Sequence, residues 1–330
     1  MTTAFVFGGG AGLGAVEVGM LYALTERGIH PDLLIGTSAG ALNAAYVAGR
    51  GTGIPALDDL TAIWRSLRRQ DVFPLDPVRQ LLAAAGIRPS LCSGRNLERL
   101  IESHLSYRDL EDAVIPVHLV ATDLLTGREV LLSTGEAVSA VLASAAVPGV
   151  LPSVQREGLN LVDGGIADDA ALSQAVALGA DDVWVLPAGY ACALPRPPTT
   201  ALATAVQALT LLTHQRLLLE VADFSLRVDL HVLPPLCPVS VSPIDFSRAG
   251  ELIERAHRAT QTWIAAGGDR RHPHPERILS LHDHRPPAQG SSNRRVPGPG
   301  SDPTGREDGY SPTTSSCRVW PSRGRGTQSS

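Results

Sequence analysis

Lysine is absent from this sequence: all 28 basic residues among its 330 are arginine. That excludes a P-loop phosphate lysine, a Schiff-base lysine and a serine–lysine dyad. The four cysteines, Cys92, Cys192, Cys237 and Cys317, show no C-x-x-C spacing. A zinc site or disulfide framework is therefore not expected, and the cysteines read as small buried apolar residues. A basic surplus is also missing: a net charge of −5 leaves nothing to neutralise a run of phosphates, so nucleic acid is not expected as a partner. No apolar run reaches the ~18 residues of a spanning helix. The chain opens directly on Ala4-Phe5-Val6-Phe7, without the charged-then-apolar layout of a signal peptide. The expectation is a cytoplasmic protein, peripheral to a membrane at most. No cluster of metal-ligating residues lies near the motifs below, so no metal and no cofactor is expected.

What is present is organised around Leu34-Ile35-Gly36-Thr37-Ser38-Ala39-Gly40-Ala41-Leu42. An apolar run ends in Gly36, Ser38 follows, Gly40 comes next, and Ala41 to Val47 reads as a helix. This is the G-x-S-x-G nucleophile elbow, a strand turning abruptly into a helix with the serine on its tip. Gly36 and Gly40 are required because a Cβ at either flank would crowd the turn. A serine at a helix N-terminus sits where free N–H groups and the helix dipole favour developing negative charge.

Upstream, the strand Ala4 to Phe7 empties into Gly8-Gly9-Gly10-Ala11-Gly12-Leu13-Gly14, and a helix follows from Ala15 to Arg27. Backbone N–H groups in such a loop converge on an anion. Two chemistries fit. Gly10 to Ala15 matches the dinucleotide fingerprint G-x-G-x-x-A, which wants an acid about 20 residues on, at the end of the second strand. Asp32 has roughly that spacing but precedes its strand, and the strand ends in Ser38 instead. The other fit is an oxyanion hole.

Helices are expected from Pro55 to Arg69, Leu75 to Ala85 and Ser93 to Leu105, the last capped by Ser93. This block should cover the site. Arg65, Arg68 and Arg69 cluster within it, read as a solvated face, with anionic head groups as the alternative. Strands follow at Ile115 to Thr122 and Glu129 to Ser133, where His118 reads as a hydrogen-bonded core residue. A small-residue helix, Glu136 to Ala146, precedes the strand Leu159 to Asp163, which ends in Gly164-Gly165. Beyond it, helices at Leu172 to Leu178, Thr199 to Ala222 and Phe246 to Ala266 alternate with strands at Val183 to Leu186 and Val228 to Leu233. This alternation implies an α/β fold, a three-layer sandwich with a mostly parallel sheet flanked by helices. One domain, 1–268, is expected. From Asp269 arginines exceed acids by ten to six among Pro, Gly and Ser, so 269–330 reads as a disordered tail.

A glycine loop after the first strand, G-x-S-x-G after the second and D-G-G some 125 residues later, in that order, resemble the patatin-like phospholipase family. The resemblance covers Ala4 to Gly165 by motif, including Ala143-Ser144-Ala145-Ala146-Val147-Pro148-Gly149, and extends to Gly268 by architecture. It implies that Ser38 is the nucleophile, Asp163 its base, and the backbone of Gly9, Gly10, Ala11 and Gly12 the oxyanion hole, with an acyl-lipid substrate, a phospholipid or lysophospholipid. Two positions depart from the family: Leu13 stands where arginine is usual and Ala11 where glycine is. The competing readings are a Ser-Asp-His triad through His214, His231 or His257, an oxidoreductase using Gly10 to Ala15, and a non-catalytic acyl-lipid-binding protein.

Overall fold

The structure is a computed structural model describing residues 1–189, 197, 199, 201–237, 239 and 241–280. Its strands are β1 (Thr3–Phe7), β2 (Leu33–Thr37), β3 (Val117–Asp123), β4 (Glu129–Leu132), β5 (Val154–Arg156), β6 (Leu159–Asp163), β7 (Asp182–Leu186) and β8 (Asp229–Val232). Its helices are α1 (Ala15–Glu26), α2 (Ala39–Arg50), α3 (Ile54–Ser66), α4 (Arg69–Val72), α5 (Pro77–Ala84), α6 (Arg95–His104), α7 (Ala137–Ser144), α8 (Leu172–Ala177), α9 (Ala201–Phe224) and α10 (Ala249–Ala265). All strands join one sheet in the order β5-β6-β3-β2-β1-β7-β8, with β4 also on β3.

The stretch β3-β2-β1-β7-β8 is parallel throughout, and the antiparallel pairings gather around β3 and β6. The central strands are apolar on both faces because helices cover both. Phe5, Phe7, Leu34, Trp184 and Leu186 face α1, α2, α3, α7 and α10, whose Leu21, Ala44, Leu57, Val141 and Leu252 complete the larger core. Ala4, Val6, Ile35, Val183 and Val185 face α8 and α9, packing with Leu172, Leu217 and Val221. Helix α10 lies close on α1 because position 19 is glycine: a Cβ there would strike the Ile253 carbonyl. Among the described residues no helix is long and apolar enough to cross a membrane.

Several expectations are corrected. The helix foreseen over 75–85 begins only at Pro77, capped by Asp76, whose side chain accepts from the Arg79 N–H at 3.0 Å. Helix α6 starts after Gly94 and has no side-chain cap, so Ser93 does not cap it. The short edge strand β5 had no distinct signal in three residues. Order continues past Gly268: Pro275–Leu279 forms a 3₁₀ turn, and Ile278 and the fully buried Leu279 close the α9 side of the core. Two apolar residues in a polar segment suffice to dock it. The rest of the expected tail, 281–330, lies outside the described residues. Cys92 is a buried free thiol, whereas Cys237 is disulfide-bonded, against the reading of it as an apolar filler.

Candidate active site

The elbow follows from steric demands at its two glycines. A Cβ on Gly36 would stand 2.7 Å from the Ala41 Cα, and one on Gly40 2.5 Å from the Phe7 carbonyl oxygen. With both positions bare, β2 turns into α2 within one residue. That residue, Ser38, adopts φ 55° and ψ −118°, a strained conformation for a side chain with a Cβ. Its N–H donates to Ser144 Oγ at 3.0 Å, a contact from the end of α7 that holds the tip in place.

Asp163 reaches Ser38 through an unusual use of the sheet. β2 pairs along β3 from Val117 to Val120, with Thr37 opposite Val120. β6 runs the other way and pairs with Ala121 to Asp123, with Asp163 opposite Ala121. β4 occupies the opposite edge over Leu119 to Thr122, so β2 and β6 share one edge and meet head to head. Neither can continue, and both chains turn out of the sheet at neighbouring positions. Gly164 is needed there because a Cβ would strike the Val120 carbonyl. The result is a hydrogen bond of 2.6 Å from Ser38 Oγ to Asp163 Oδ2. The other carboxylate oxygen accepts from the Gly165 N–H at 2.9 Å.

The glycine loop between β1 and α1 is held by two tethers. The Gly9 N–H donates to Asp169 Oδ1 at 2.8 Å, and the Gly12 N–H to the Pro243 carbonyl at 2.7 Å. These two donors, both in the expected oxyanion set, are used here in holding the loop. The N–H groups of Gly10 and Ala11 meet no acceptor among the described residues. Ala11, at φ 48°, borders the same cavity as Ser38 and Ala39. Leu13 itself is buried in the core.

Ser38 opens into a narrow apolar slot. Its walls include Leu60 and Trp64 of α3, Phe73 after α4, Leu97 and Ile101 of α6, and Val141 of α7, so the helical block does cover the serine. Trp64 is fixed by a buried chain of hydrogen bonds: its Nε1 donates to Asn43 Oδ1 at 2.9 Å, and Asn43 Nδ2 donates to Glu17 Oε2 at 2.7 Å. Burial holds the Glu17 carboxyl well above the usual range, against the opposing pull of the Asn43 hydrogen bond.

Burial likewise dominates the two carboxyls nearest Ser38. Asp163 is pushed up to about 6, against the opposing pull of the Ser38 and Gly165 hydrogen bonds. Asp169 is pushed up to about 7, first by burial and then by the charges of Asp163 and Asp168, with the Gly9 N–H acting against them. Neighbouring Asp168 accepts from the N–H groups of Ala170 and Ala171 and faces Arg216 of α9 at 3.7 Å, fixing the segment after D-G-G. Asp169, Ser144, Asn43 and Glu17 were not assigned roles from sequence. The signal was present as isolated polar residues in apolar helices and as paired acids after a glycine turn.

The alternatives fare less well. His231 stacks on Trp184, with Asp182 3.4 Å away; His257 lies 2.8 Å from Glu26. His214 lies against the Leu279 backbone. None of the three bonds Ser38 or Asp163. His118 Nδ1 lies 2.7 Å from Ser133 Oγ, a hydrogen-bonded position as read from sequence. Asp32 Oδ2 accepts from the Thr3 N–H at 2.8 Å, at the start of β1 and so at the opposite end of the sheet from the glycine loop. Among the described residues no group of three His, Cys, Asp or Glu is arranged to hold a metal ion.

An uncharacterized NTE family protein of Mycobacterium tuberculosis is 32% identical over 186 residues, 54% of this chain and 46% of that protein. Lysophospholipase nte1 of Aspergillus terreus is 28% identical over 184 residues, 56% of this chain but 12% of the fungal protein. The match thus takes in less than half the length of these relatives. Among solved structures, VipD from Legionella pneumophila aligns over 80% of this chain and 67% of its own, at 15% identity and a TM-score of 0.46. The profile of the patatin-like phospholipases matches residues 5–176, a span that takes in the glycine loop, the elbow and the D-G-G turn. Over more than half its length, then, the chain belongs to the patatin-like phospholipase family.

Proposed function

We propose that the protein is a lipid acyl hydrolase, of phospholipase A or lysophospholipase type, working through Ser38 and Asp163. The observation that carries this reading is the 2.6 Å hydrogen bond from Ser38 Oγ to Asp163 Oδ2 at an apolar slot. A serine hydroxyl is a weak nucleophile until a neighbouring base takes its proton. Asp163 takes that proton directly as Oγ attacks the ester carbonyl. The resulting oxyanion is received by the N–H groups of Gly10 and Ala11, with that of Ala39 at the head of α2. A donor of this type is worth ~2.7–4 kcal/mol in the transition state. Asp163 then protonates the departing alcohol, and in the second half takes a proton from water as it attacks the acyl-enzyme. The slot receives the acyl chain, each buried methylene contributing ~0.8 kcal/mol.

The test is a fluorophosphonate probe together with fatty-acid release from a mixed lipid extract. Labelling confined to Ser38, and release abolished in Ser38→Ala, are expected. A wild-type protein that binds lipid yet resists the probe would favour the non-catalytic lipid-binding alternative.

A further inference from the structure

Helix α5 buries none of its residues, although Val78, Leu81 and Leu82 lie within it. Leu75, Val78 and Leu81 are 66%, 69% and 72% exposed, and Ile87 just beyond is 66% exposed. Val78 and Leu81, three apart, share one stripe of the helix, and Leu75 stands just before its Asp76 cap. Arg79, Gln80, Leu82 and Ala83 are half-buried on the inner side, where Arg79 Nη2 donates to the buried Ser90 Oγ at 2.7 Å. An eight-residue helix in water needs a reason to form. Here the reason is local, with an Asp76 N-cap, Pro77 at the first helical position, and Gly86 at φ 74° after the end. Caps of this kind fold the helix without using its apolar face, which is left outward.

The surroundings carry a surplus of positive charge, although Arg65 pairs with Glu254 at 3.1 Å. Between Arg65 and Arg99 there are seven arginines and three acids, in a protein whose net charge is −5. Arg65, Arg68, Arg69 and Arg88 are exposed. The same segment walls the slot: Phe73 lines it, and Leu75 two residues later stands on the surface.

We infer that the outward face of α5, with Leu75 and Ile87, docks on an anionic lipid bilayer and brings the slot to the membrane surface. The geometry is that of an interfacial helix, apolar stripe in the acyl boundary and arginines among the head groups. Arginines near an anionic surface strengthen the docking, and salt weakens their share of it. The inference rests on the acyl-hydrolase reading only for its purpose, since the docking itself needs no turnover.

The experiment therefore uses the full chain as Ser38→Ala, sedimented with phosphatidylcholine vesicles with or without phosphatidylglycerol. Binding is expected to the mixed vesicles, weaker to phosphatidylcholine alone and weaker in high salt. Adding Leu81→Asp should reduce partitioning about tenfold or more, equivalent to ~1.4 kcal/mol, with an unchanged thermal melt because the position is exposed. A second variant, Arg68→Gln with Arg69→Gln, should erase the preference for phosphatidylglycerol. Equal partitioning of the parent and Leu81→Asp proteins overturns the inference. So does a parent that ignores vesicles, or one that forms a dimer that Leu81→Asp dissociates, which would make a second copy the occupant. Failure of the hydrolase reading appears separately, as Ser38 that resists the fluorophosphonate in the wild type.

Discussion

Replacing Asp163 with asparagine should stabilise the protein while disabling it, and the gain should depend on pH in a defined way. The carboxyl rises from 3.8 to about 6 on folding, chiefly through burial. A group raised in the folded state contributes stability below its unfolded pKa and loses it as pH climbs through the folded value. Two units at ~1.4 kcal/mol each amount to about 3 kcal/mol held against the native state above pH ~6. Asparagine has the same shape and no charge: its oxygen can accept from the Gly165 N–H and its amide can donate to Ser38 Oγ. Allowing for imperfect hydrogen bonds, the gain should be ~1–3 kcal/mol near pH 8, roughly 2–4 °C of melting temperature per kcal/mol. Near pH 4 the wild-type carboxyl is protonated and the difference should vanish. Calorimetric melts of both proteins across about pH 4 to 8 read this directly. Equal differences at the two ends, or a less stable variant at the upper end, would refute the claim that Asp163 is ionised at the expense of stability. Hydrolysis should fall ~10²–10⁴-fold or further, as for loss of a general base.

Asp169, pushed up to about 7, stays largely neutral while Asp163 titrates at about 6, and Asp169→Asn keeps an acceptor for the Gly9 N–H. The acid limb of the kcat/KM profile should therefore stay in place, and a limb moved to lower pH would show that Asp169 is charged while Asp163 titrates. Gly40→Ala places a Cβ 2.5 Å from the Phe7 carbonyl oxygen, an overpacking that should cost ~1–3 kcal/mol in denaturant melts and displace Ser38. Hydrolysis should persist in a strong chelator, because the base and the oxyanion donors are supplied by the chain itself; inactivation reversed by calcium would count against the proposed chemistry.

The three motifs were legible because each encodes a local steric requirement. Gly36 and Gly40 mark a turn with no room for a Cβ, Gly164 marks another, and the apolar runs of β1, β2 and β7 announce strands covered on both faces. The end-to-end meeting of β2 and β6 on one edge of β3 was not legible, since register between segments more than 80 residues apart leaves no local trace. The same holds for the tethers. Gly9 and Gly12 look like free donors in the sequence, and only the arrival of Asp169 and the Pro243 carbonyl commits them. The docking of Ile278 and Leu279 was not legible for a related reason: composition averages over a segment, whereas docking needs only two side chains and a waiting groove.

The sequence by itself determined the sandwich class, the serine at the elbow and the carboxylate after β6, because short-range sterics and hydrophobic period write these into adjacent residues. Only the tertiary structure decided that the serine and the carboxylate touch, which loop amides remain free, how far burial raises the two acids, and that α5 turns its apolar stripe outward. Each of these depends on desolvation and contact between distant parts of the chain, quantities that exist only once the chain has closed upon itself.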